Sequence, residues 1–188
     1  MNIRKNQKGF TLIELLIVVA IILIIAAIAI PNLLRSKMAA NEASAVGALR
    51  TIVTAQVTYS STYNSGFAAT LVELSGPAGT GTPANPATCA TSGLLDPTFN
   101  ADPSPKSGYI IAMKAASAVT VPTNGCGTTT DLETFDATAV PITVGTTGQR
   151  SFCDDQSGAM MYDPAGVKGA APTGVSCNAD GFTLALGQ

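Results

Sequence analysis

The 188-residue chain carries 10 basic and 12 acidic residues and has no His and no Trp. The lack of His removes the commonest general base and metal ligand. The slight acidic excess gives no ground for a general nucleic-acid-binding surface, and the length fits one globular unit plus an anchor.

Residues 1–9 read as a processing segment with Arg4, Lys5 and Lys8 ahead of Gly9. An apolar run follows, in which Glu14 is the only charge as far as Ile30. Phe10 to Ile30 is 21 residues, about 31 Å as a helix and enough to cross a hydrocarbon layer. The run is too long for a typical secretory h-region, and no A-x-A-like site follows it. The basic residues place the N-terminal side in the cytoplasm, so the rest of the chain faces outward. A plain membrane anchor explains the length but not Glu14, because a carboxylate at bilayer depth is costly and is rarely there without a partner.

Helical pattern continues over 32–63. Leu34, Met38, Ala45, Val46, Leu49, Ile52, Val53, Gln56, Tyr59 and Tyr63 fall on one arc of a helical wheel, with Arg35 and Glu42 close to it. The opposite side carries Ser44, Gly47, Arg50, Thr51, Thr54, Thr58 and Ser61. It is small rather than densely charged and is read as a face for neighbouring helices. A kink or local melting is expected between Ala27 and Pro31, where proline removes a donor. Asn64-Ser65-Gly66 marks the stop.

Residues 64–107 read as loop, rich in X-Pro dipeptides, with a short helical turn near Leu94 and Leu95. Strands are expected at Tyr109–Lys114, at Glu133–Val144 with a bend at Pro141, at Gln149–Cys153 and at Ala159–Tyr162. Close spacing favours an antiparallel sheet over about 108–165. The fold class is therefore α+β: a long N-terminal helix packed on a small sheet within a head of 64–188. Asp154, Asp155 and Asp163 match no EF-hand spacing and read as an acidic turn, so no metal is assigned.

Cys89, Cys126, Cys153 and Cys177 all follow the apolar run, and none forms a C-x-x-C. That spacing speaks against zinc and, in an exported chain, for two disulfides. Three connectivities are open. Sequential loops are simplest, which favours Cys89–Cys126 and Cys153–Cys177.

The run K-G-F-T-L-I-E-L-L-I-V-V-A-I followed by Pro31 closely resembles a type IV prepilin of the short-leader type, over residues 1 to about 63. The G-Q-R-S-F-C-D-D-Q-S-G segment near Arg150 is similar to a strand–turn–strand of some bacterial pilin-like proteins. The resemblance implies the pilin fold, with the hydrophobic half of the helix (10–31) protruding. It implies cleavage between Gly9 and Phe10 by a prepilin peptidase and N-methylation of Phe10. It also implies assembly through Phe10, Glu14 and Pro31. Cys153–Cys177 matches the C-terminal disulfide loop of many pilins.

The implied role is structural, not enzymatic, and needs no cofactor. The chain is expected in the inner membrane first and then in an extracellular filament for adhesion or surface motility. Its partners are copies of itself, the peptidase and the pilus assembly machinery, with no nucleic acid. The alternatives are a pseudopilin of type II secretion and a minor pilin whose head binds DNA or a receptor.

Overall fold

The computed structural model describes residues 10–63, 66–77, 80–82, 84, 86–120 and 130–186. The chain divides into two compact units, Met1–Lys37 and Met38–Gln188. One helix, α1 (Leu12–Tyr63), supplies the described part of the first unit and the opening element of the second.

Among the described residues of the first unit, nothing covers the helix. Its large apolar side chains from Phe10 to Leu34 range from 45% exposed at Val19 to 87% at Phe10. The helix is long and apolar enough to cross a membrane. It runs through Pro31 without the local melting expected there. Proline's fixed φ is itself helical, and the missing N–H removes only one bond from a ladder held on both sides.

In the second unit the same helix is amphipathic. Ala45, Leu49, Ile52, Gln56 and Tyr59 of the predicted arc are buried, together with Ala48 and Ala55. They pack on a six-stranded antiparallel sheet whose strands lie in chain order: β1 Ser104–Lys106, β2 Tyr109–Thr120, β3 Thr130–Pro141, β4 Ser151–Asp155, β5 Met161–Asp163 and β6 Leu184–Ala185. The helix-facing side carries Tyr109, Ile111, Met113, Ala137, Ala139 and Phe152. Each Leu, Ile or Phe fully buried there contributes about 1.5–3 kcal/mol relative to exposure. Gln56 lies among them, fully buried and paired. Its Nε2 donates to the Ala68 carbonyl (2.9 Å), and its Oε1 accepts from the Ala68 N–H (2.8 Å).

Several expected boundaries move. β2 is longer than predicted, and β3 starts earlier and stops at Pro141, which ends the ladder because it has no N–H to give. The sheet extends over 104–185 rather than 108–165, because two short edge strands join it. The turn expected at Leu94–Leu95 falls instead at Pro97–Phe99, where the Asp96 carboxylate accepts from the Thr98 N–H at 2.8 Å. A short helix, α2 (Leu71–Ser75), sits inside the region expected to be loop.

The other side of the sheet is covered by the C-terminal segment. Thr138 Oγ1 donates to the Gly169 carbonyl (2.5 Å) and Thr134 Oγ1 to the Gly174 carbonyl (2.8 Å). Phe182 and the Cys153–Cys177 disulfide are fully buried here.

Candidate functional site

The exposed apolar helix begins with a reciprocal cap. Thr11 is the N-cap and Glu14 the third helical residue. The Thr11 N–H and Oγ1–H both donate to Glu14 Oε2 (2.8 and 2.6 Å), and the Glu14 N–H donates back to Thr11 Oγ1 at 3.3 Å. This is a capping box, which satisfies donors that a helix start leaves without partners. Glu14 therefore has a partner inside its own chain. Among the described residues only Oε2 is engaged, and Oε1 stays open. Phe10 is exposed beside it, Pro31 lies in the helix interior, and Gly9 lies outside the described residues.

The small-residue face of α1 in the second unit is also open. A Cβ at Gly47 would meet nothing within 4 Å. Thr51, Thr54 and Thr58 each donate their hydroxyl to a carbonyl four residues back, all at 2.9 Å. Back-bonding satisfies these hydroxyls without water. Another apolar surface can therefore cover these three threonines without stranding a hydroxyl donor.

At the opposite edge of the helix, Glu42 holds the β3–β4 loop. Arg150 Nη2 and Nε reach Glu42 Oε2 at 2.6 and 3.0 Å, while the Gln149 and Arg150 N–H groups donate to Oε1 at 3.0 and 3.3 Å. Burial pushes the Glu42 carboxyl up. The Arg150 guanidinium and the two N–H donors more than reverse this, so its pKa lies below the ordinary carboxylate value. Arg150 also sits over the Phe152 and Tyr162 rings, 5.4 and 5.6 Å from their centroids. Tyr109 Oη–H donates to the Arg150 carbonyl (2.8 Å), and burial followed by the Glu42 charge pushes that phenol up. Asn41 donates to the Thr147 carbonyl at 2.8 Å. At Gly148 a Cβ would overlap the Tyr109 hydroxyl, so the loop's approach requires glycine.

The three aspartates read as an acidic turn are not on a solvated loop. Asp154, Asp155 and Asp163 are 3%, 5% and 7% exposed. Asp154 and Asp155 belong to β4 and so face opposite sides of the sheet. Burial pushes Asp154 up to about 6. Its side faces the helix, where a cavity of about 590 Å³ is lined by Arg50, Val53, Thr54, Met160 and Leu186. Asp155 accepts from the Cys177 N–H (3.0 Å) and from the Ser157 hydroxyl (2.6 Å) on the other side. Cys153 and Cys177 form a disulfide with their Cα atoms 5.7 Å apart. Cys89 is disulfide-bonded, and Cys126 lies outside the described residues.

Comparison with known proteins places this N-terminal geometry in a family context. Residues 4–30 match the prokaryotic N-terminal methylation motif. The type IV wide pilus major component PilA4 of Thermus thermophilus is 51% identical over 61 residues, 32% of this chain and 47% of that protein. The type IV major pilin protein PilA of Myxococcus xanthus is 50% identical over 54 residues, 29% of this chain and 24% of that protein. The chain thus spans less than half the length of these curated relatives. No solved structure matches it. The N-terminal region carries a type IV pilin methylation motif and is homologous to type IV pilins.

Proposed function

We propose that this chain is the structural subunit of a type IV pilus, polymerising through its N-terminal helix into a filament outside the cell. The observation that carries this reading is a capped helix whose large apolar side chains from Phe10 to Leu34 are all exposed, within a segment homologous to pilins. Such a surface needs lipid or other helices around it. It is held in the inner membrane first, with residues 1–9 on the cytoplasmic side. Prepilin peptidase then cleaves between Gly9 and Phe10, and the new Phe10 amine is methylated.

In the filament, the open Oε1 of Glu14 meets the Phe10 amine of a neighbouring copy. Lipid has already desolvated the helix, so the apolar contacts gain through close packing more than through removal from water. The charge pair mainly sets register, since desolvation offsets much of its attraction. Pro31 is the weak point of the ladder, and we read Ala20–Pro31 as the stretch that unwinds when subunits pack. Continuous helical density there in a filament map would rule that out. The second unit supplies the outer surface for adhesion or motility. The role is structural rather than catalytic.

The test is cryo-EM of sheared surface fractions from the native organism, with the subunit identified by mass spectrometry. Long fibres built of this chain and starting at N-methylated Phe10 are expected. A processed chain retained in the envelope and absent from fibres would overturn the reading in favour of a pseudopilin or minor pilin.

A further inference from the structure

The C-terminal cover is fastened to the sheet through the Asp136 carboxyl, and Asp180, within the cover, lies beside it. Asp136, in the middle of β3, is fully buried. Its Oδ1 accepts from the Gly174 N–H (3.1 Å), and its Oδ2 lies 3.5 Å from the Thr173 hydroxyl. The Thr173 N–H donates to Asp180 Oδ1 at 3.1 Å, so the two aspartates converge on one residue of the cover. Asp180 Oδ2 is buried and has no donor among the described residues. Two ionised carboxylates both accept and neither donates. A proton on Asp136 supplies the missing donor.

We propose that Asp136 and Asp180 share one proton, and that this carboxyl pair is a pH-operated latch holding residues 168–182 on the outer face of the sheet. With the proton in place, Asp180 Oδ2 is satisfied and one negative charge remains. When the proton leaves, a second negative charge appears at the buried Asp136 beside the half-buried Asp180, and the cover loosens around Thr173 and Gly174.

The surrounding charges do not neutralise the pair. Lys114 on β2 and Asp155 on β4 are the cross-strand partners of Asp136 and share its face. Lys114 is exposed, and Asp155 brings a further negative charge already bound to Ser157 and the Cys177 N–H. Within the cover, Lys168 Nζ is taken by the Gly181 carbonyl at 2.6 Å. Burial and then the Asp180 charge push Asp136 up to about 7, and the proton is a property of the pair rather than of either residue. The folded state therefore holds more protons than the unfolded state between about pH 4 and about 7. The latch is fully closed below that, weakens as pH rises, and is open above about 7.

Hydrogen–deuterium exchange of the full chain in detergent micelles, corrected for intrinsic exchange, tests this at pH 5 and pH 8. Protection of residues 168–182 should fall at least about tenfold at the higher pH, the equivalent of one pKa unit. Residues 45–59 of α1 serve as the internal reference. Asp136→Asn places an amide donor beside Asp180 and should make the segment's protection independent of pH. Asp180→Asn removes the neighbouring charge but leaves Asp136 buried, so it should shrink the pH response without abolishing it, and it carries the test if Asp136→Asn fails to fold. A wild-type segment with equal protection at both values would overturn the latch, as would an unchanged pH response in the Asn variants. The readout is local to the cover, so Asp154 on the opposite face does not confound it.

Discussion

Glu14 and Glu42 lie on the same helix, and the structure treats them differently. Glu42 is clamped by a guanidinium and two backbone donors from a loop more than a hundred residues away. Glu14 is held only by its own first turn, with one oxygen left open among the described residues. The apolar residues around them repeat the contrast: Ile52 is fully buried and Ile24 is 64% exposed. The second unit explains its own stability. In the first, no described residue covers the large apolar side chains, and on the proposed reading its sequence is shaped by assembly and not by the fold of the monomer.

The largest expected effect comes from Glu14→Ala, which should abolish or sharply reduce filaments while membrane insertion persists, as read from sheared and membrane fractions. Normal yield would remove the register role. Two milder variants sharpen the comparison. Glu14→Gln keeps a capping side chain but loses the charge, whereas Thr11→Ala keeps the charge but loses the reciprocal cap. If the charge acts between subunits, the first should lose filaments and the second should largely retain them.

Next comes the core. Phe152→Ala should cost about 3–5 kcal/mol in denaturation of the full chain in detergent. Ile24→Ala, a comparable truncation at an exposed site, should change head stability by less than about 0.5 kcal/mol. Equal effects would mean that the two regions are not energetically separate.

The Glu42 clamp ranks below that. Arg150→Met should cost about 1–3 kcal/mol, discounted because the guanidinium is 40% exposed to screening. Glu42 has a depressed pKa, so its stabilisation is present above the ordinary carboxylate value and is lost as pH falls through the folded value. Glu42→Gln should flatten that acid limb in pH-dependent unfolding. Thr70→Ala, which removes the α2 cap, should cost about 1 kcal/mol.

Much of this was legible in the sequence. The helical period placed the buried arc of α1 correctly because a 3.6-residue repeat needs no knowledge of the partner. Two capping-box sequence patterns are equally legible, although at the second the Glu73 carboxylate reaches one residue further back, to the Ala69 N–H. Thr11-Leu12-Ile13-Glu14 and Thr70-Leu71-Val72-Glu73 share one pattern, and each opens a helix. The pattern would have supplied the partner for Glu14 and located α2. Glu42 stood out as a charge near an apolar arc, but its reason lies in Arg150, and no local pattern joins positions so far apart. β1 and β6 escaped because strands of three and two residues carry no period. Asp136 escaped for a different reason: only the folded chain brings Asp180 and Thr173 to it.

The sheet's strands pair in strict chain order, each with its neighbour, whereas the helix meets the Gln149–Arg150 corner across 107 and 108 positions. Contacts between near neighbours in the chain close quickly, and those across long separations wait on loop closure. The meander can therefore zip up hairpin by hairpin, while the helix, though first in the chain, docks late. On the proposed reading, a subunit in that interval would carry a finished sheet and a bare apolar helix edge, which would make the interval its window of greatest exposure to misassociation.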